Sequence, residues 1–161
     1  MIKFLIIPVI VVLEYFFHRF FCVSWFLFDP LLAAAVVYTF FHSLEARGFV
    51  FYALWCGFWR DAGGTDLFGV FMISYLLTVF GVSYLVRVLY RHNWMFIFPV
   101  VFAAQLLNNH LVLVLRLSLG GIRSTTYAYF LGRTLLQAFG TTALVYPLFL
   151  FFKKCAPEPT A

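Results

Sequence analysis

An all-α integral membrane domain, a bundle of six transmembrane helices, is the fold class the sequence predicts. Three observations predict it. The chain is 65% apolar and 22% aromatic but only 11% charged, with a mean hydropathy of +0.99, whereas a soluble domain averages about half apolar and about a quarter charged. Its apolar runs are continuous and lack the two-residue alternation of an outer-membrane barrel. A helical span takes about 20 residues, so 161 residues hold about six spans with little left over. Residues 1–152 are therefore expected to form one transmembrane domain, and residues 153–161, with Pro157 and Pro159, a short disordered cytoplasmic tail.

The first apolar run covers residues 2–17 behind Lys3. Glu14 lies inside it and large aromatics follow it, which favours an uncleaved helix over a signal peptide. Glu14 and His18 share a helix face. An acid at this depth needs a partner or a watery cavity, so it is either an inter-helix hydrogen bond that fixes packing or a proton or substrate site. Residues 19–28 read as interfacial, with Arg19 and Trp25 at headgroup level. Asp29-Pro30 opens the second helix, because Asp accepts from free first-turn amides and Pro fits the first helical position. Ala33, Ala34 and Ala35 give that helix a small-residue patch suited to close backbone approach.

Arg47 to Arg60 in the third helix spans about 20 Å at helical rise, against a hydrocarbon core of about 30 Å, so either the helix is short or Arg60 and Asp61 lie within membrane depth. Gly63-Gly64 ends it, and Thr65-Asp66 offers a cap for a fourth helix over about 67–86. The fifth helix, about 94–117, carries Gln105, Asn108, Asn109 and His110 near its middle; the Gly120-Gly121 turn follows. The sixth, about 125–152, places Arg133, Gln137 and Thr141 along one side, and Pro147 bends its last part. The stripe Gln105, Asn109, Arg133, Gln137 reads as interhelical hydrogen bonding, or as the wall of a ligand pocket between helices five and six.

With six spans, Lys3, Arg47, Arg87, Arg91, Lys153 and Lys154 fall on the side of both termini, six against four on the other, a bias that places the termini in the cytoplasm. The formal charge of +5 is scattered over segment ends, unlike the clustered basic surface of a nucleic-acid binder. Cys22, Cys56 and Cys155 are too dispersed for a disulfide framework or metal cluster. The histidines at 18, 42, 92 and 110 are equally scattered, and no H-E-x-x-H, G-x-S-x-G or phosphate-cradling pattern occurs. No catalytic, cofactor-binding or metal-ligating residues are expected, and the chain reads as a non-enzyme.

The most distinctive stretch is the glycine-rich, charged break from Gly57 to Gly69, which includes Arg60, Asp61 and Asp66. Irregular backbone near a bilayer must be buried in protein or face water. Gly57, Gly63, Gly64 and Gly69, with Ala33 and Ala34, would let another backbone approach closely. The expectation is that this break and the second helix form a docking groove; the same glycines would also serve if they only let helices three and four pack together. For Asp61 the expected role is structural, capping a neighbouring helix or pairing with an arginine.

The layout resembles the MreD family of small multi-pass membrane proteins. That family's break after the third helix reads Gly-x-x-x-Asp, a small residue with Gly, then an apolar residue with Gly; here these are Gly57, Asp61, Gly63-Gly64 and Phe68-Gly69. Its last helix tends to end in Tyr-Pro-Leu before basic residues, matched by Tyr146-Pro147-Leu148 and Lys153-Lys154. Its Pro-Asp at the second helix is inverted here to Asp29-Pro30. The resemblance implies a scaffold of the rod-shape (elongation) complex in the bacterial inner membrane. Its direct partner would be MreC, with MreB, the RodA glycosyltransferase and a class B transpeptidase reached through the complex. It also implies a fold similar to the vitamin-binding subunits of energy-coupling-factor transporters, and so an alternative reading as a small-molecule binding subunit.

Overall fold

The computed structural model describes residues 2–21, 28–42, 46–63, 68–89, 94–119 and 127–155. Seven helices follow one another there: α1 (Ile2–Phe21), α2 (Pro30–His42), α3 (Ala46–Gly63), α4 (Val70–Leu89), α5 (Ile97–Ser118), α6 (Tyr127–Ala143) and α7 (Val145–Cys155). A 3-10 turn at Trp94–Phe96 leads into α5. No strand occurs among the described residues.

Helix α2 is the axis. Its sequence is apolar on every face, and a helix apolar all round is stable only when surrounded. It packs against each of the other six helices, and every residue from Pro30 to Phe40 is buried. Tyr38 stacks on Tyr52 of α3 at 4.2 Å between ring centroids, and Phe152 of α7 meets both rings edge-on. The polar Thr39 donates to the Ala35 carbonyl within the helix, 2.8 Å. Helices α3 and α4 form the most extensively packed pair, followed by α5 and α6, while α1 lies against α2 and α3.

Three stretches are long and apolar enough to cross a membrane: Val70–Arg87, Ile97–Ser118 and Phe130–Lys153. Shorter apolar helices occupy Ile7–Phe16 and Pro30–Phe41. The 18-residue α3, about 27 Å long at helical rise, contains Arg47, Arg60 and Asp61, which keeps it out of that set.

Several expected boundaries move. The fourth helix starts at Val70 instead of 67, and α7 continues to Cys155, three residues into the expected tail. The last helix is broken rather than bent, at Leu144. Pro147 has no N–H with which to bond the Ala143 carbonyl four residues back, and the Leu144 amide turns to the Thr141 carbonyl at 3.1 Å. Gly64, the Thr65-Asp66 cap, the interfacial residues 22–27, the Gly120-Gly121 turn and residues 156–161 lie outside the described residues.

Candidate functional site

Asp61 and Gly57 build the α3–α4 hairpin. At the end of α3, the Asp61 carboxylate accepts three backbone N–H groups: Gly69 at 3.0 Å, Phe71 at 3.1 Å and Met72 at 3.1 Å. These are donors that the start of α4 leaves without helical partners, and the negative charge also suits the helix N-terminus. Asp61 is thus a cap donated by a neighbouring helix. The turn between them needs Gly69, whose φ of +99° lies where side-chain-bearing residues are strained. One turn earlier, Gly57 touches α4 directly: a Cβ there would lie 2.6 Å from Met72 Cα and 2.9 Å from its N. Asp61→Ala is expected to cost about 2 kcal/mol and Asp61→Asn about half as much, read as loss of thermal stability in detergent.

This packing corrects the expected groove. Helix α2, with Ala33 and Ala34, is buried by the chain's own helices and offers no free face. Gly57 is filled by α4 and Gly69 serves the turn; Gly63 ends α3, exposed. What the hairpin does present outward is an apolar, aromatic face. Phe51, Trp55 and Phe58 follow at helical spacing on α3, and Ile73, Leu77, Phe80 and Tyr84 do so on α4, all exposed. Trp55 and Phe58 stack at 5.8 Å, and Phe68 meets Phe58 edge-on.

Beneath the hairpin lies a buried charged cluster drawn from four helices. Arg60 of α3 donates to Glu14 of α1 at 2.7 Å, both almost fully buried. Asp29 precedes α2, and its Oδ1 accepts the Leu32 amide at 3.1 Å, the cap geometry expected of Asp29-Pro30. Tyr75 of α4 reaches both Asp29 oxygens at 2.7 Å, and the Asp29 amide donates to Thr141 of α6 at 2.9 Å. Arg60 also lies 5.6 Å from the Phe71 ring centroid, with Arg116 at 5.9 Å from the same ring. The sequence names Glu14 and Asp29 but not Tyr75, whose role depends on a contact 46 residues away in the chain.

The polar stripe of the fifth and sixth helices is assembled as a chain. Gln105 donates to Asn109 at 3.0 Å and Asn109 to Gln137 at 2.9 Å, joining α5 to α6. Ser74 of α4, which the sequence pattern does not single out, donates to Asn108 at 2.6 Å. Arg133 is half-buried, and Tyr146 and Pro147 are exposed in the first turn of α7. The His18 side chain lies outside the described ones. Among the described residues no group of three or more His, Cys, Asp or Glu side chains is placed to hold a metal ion. Compared with protein-family models, curated proteins and solved structures, the chain matches none of them.

Proposed function

We propose that the chain is a non-enzymatic membrane scaffold of the MreD kind. In this reading it binds MreC in the bacterial inner membrane and helps position or regulate lateral peptidoglycan synthesis. The observation that carries the reading is the α3–α4 hairpin. Its family-like residues Gly57, Asp61 and Gly69 each have a structural task there, and together they hold an outward aromatic face in one shape. Small residues that bring two helices together, with large apolar ones facing out, are a familiar way to present a surface to a third helix. The single helix of MreC docks on this face, instead of in a groove shared with the second helix. MreB, RodA and the class B transpeptidase are reached through MreC. The chain crosses the membrane six times with both termini cytoplasmic, in a bundle similar to the vitamin-binding subunits of energy-coupling-factor transporters.

Co-purification with MreC tests this. Phe51→Ala with Phe58→Ala is expected to reduce MreC recovery about tenfold or more, the loss of a central aromatic anchor pair. Leu136→Ala with Phe139→Ala, on the exposed side of α6, is expected to leave it unchanged. Undiminished recovery with the hairpin variant counts against the docking face. These exposed positions are better probes than Gly69, because a side chain at its positive φ disturbs the turn itself.

One observation favours the second reading, a small-molecule binding subunit. Gln105 Oε1, Asn108 Nδ2 and Thr78 Oγ1 are buried without a hydrogen-bond partner among the described residues, on the two helices joined by Ser74 and Asn108. Native mass spectrometry of protein from its own membranes separates the two. A vitamin-sized adduct supports the binding subunit, and a co-purified MreC without one supports the scaffold.

A further inference from the structure

Among the described side chains the buried cluster is unbalanced. Two carboxylates, Glu14 and Asp29, face one guanidinium, Arg60, and Asp29 is close enough to act electrostatically on both other groups. Among the described residues the remaining carboxylate is Asp61, and both its oxygens accept backbone N–H groups at the start of α4. Both Asp29 oxygens are likewise engaged, by Tyr75 and by the Leu32 amide. Glu14 differs: Oε1 accepts from Arg60, while Oε2 is buried with no donor among the described residues. An ionised carboxylate oxygen is costly to bury without a donor, and a surplus negative charge compounds that cost.

We propose that the Glu14–Arg60–Asp29 cluster is a proton-binding site, with Glu14 Oε2 as the atom that takes the proton. The proton adds to Oε2, Arg60 keeps its hydrogen bond to Oε1, and the remaining charges, Arg60 and Asp29, balance one to one. A proton is the ligand that fits, because neither Glu14 nor Arg60 offers solvent more than a sliver of side chain. Helix α1, which carries Glu14, packs on α2 and α3. On them and on their neighbours the described titratable or charged groups include Asp29, Arg60, Asp61, Tyr75, the buried Tyr38, Tyr52 and Cys56 and, beyond Phe71, Arg116. The side chains of Lys3, His18, Arg19, His42 and Arg47 on these same helices lie outside the described ones.

The test uses the full chain in native membrane vesicles and dicyclohexylcarbodiimide, an apolar reagent that modifies carboxyls in their protonated form. Peptide mapping is expected to find an adduct on Glu14. Its yield should fall about tenfold per pH unit on the alkaline side of the site's midpoint. Infrared titration of the purified protein should show a protonated-carboxyl band with the same pH dependence that Glu14→Gln removes. Mapping on the unaltered chain assigns the adduct even where that variant folds poorly. Absence of both the Glu14 adduct and the pH-dependent band, from about pH 5 to about pH 9, overturns the proposal.

Discussion

Replacing Arg60 with Met is expected to destabilise the protein by about 3–5 kcal/mol, the usual cost of removing one member of a buried ion pair. The cost has a definite origin. Glu14 loses the donor 2.7 Å from its Oε1, and Asp29 loses its favourable interaction with the Arg60 charge, so both buried carboxylates lose the same counter-charge. The apolar bulk of Met fills much of the space, so the loss is electrostatic more than steric. Adding Glu14→Gln removes one of the stranded charges and is expected to recover about 2 kcal/mol, the size of coupling found between residues in one network. Thermal unfolding of the single and double variants in detergent, with monodispersity followed by size-exclusion chromatography, reads both steps. Strictly additive single and double losses would mean that the pair holds nothing together. Because Glu14 is on α1 and Arg60 on α3, the same measurement reports how much of α1's attachment this polar tie supplies.

How much of this was legible in the chain depends on how far each interaction reaches. The Asp29-Pro30 cap is a matter of four consecutive residues, with the Leu32 amide donating back to Asp29 as local chemistry requires. The burial of α2 follows from a stretch with no polar face, and the break before Val145 follows from Pro147. Each of these needs only neighbours in sequence. Glu14 is different: the sequence says that an acid in an apolar run needs a partner, but the partner is Arg60, 46 residues on. Thr141 meets Asp29 from 112 residues away, and no periodicity in either segment encodes that meeting. The expected groove fails for the same reason. Small residues at 33, 34 and 57 signal close approach, but which backbone approaches is a property of the assembled bundle. The count of six spans also rests on composition alone, whereas α2 and α3 are too short or too charged to qualify by length and composition. Asp61 lies between these cases: its charge beside paired glycines marks a helix junction, and the geometry adds which helix it caps.

Gly57 is where the hairpin tolerates least. A Cβ at this position would stand 2.6 Å from Met72 Cα, 2.9 Å from Met72 N and 3.0 Å from the Phe71 carbonyl oxygen. All three are backbone atoms, so no side-chain rotation relieves the contact, and α3 and α4 must separate to admit even one methyl group. Gly57→Ala is therefore expected to destabilise by about 2–3 kcal/mol, at the upper end of overpacking costs, despite alanine's better helix propensity. Gly57→Leu is expected to abolish recovery of folded protein. Gly132→Ala provides the matched comparison, since nothing lies within 4 Å of its Cβ position on α6. There the gain in helix propensity is unopposed, and a stabilisation of about 0.5–1 kcal/mol is expected. Opposite signs for the same chemical change at the two glycines would tie the effect to the α3–α4 contact. If Gly57→Ala instead unfolds at or above the temperature of the unaltered chain, the two helices do not meet at Met72, and the aromatic face they carry loses its rigid support. The separation also reaches the cap, because Met72 is both the atom group that Gly57 touches and a donor to Asp61. In a Gly57→Ala background, Asp61→Ala is accordingly expected to cost less than it does alone.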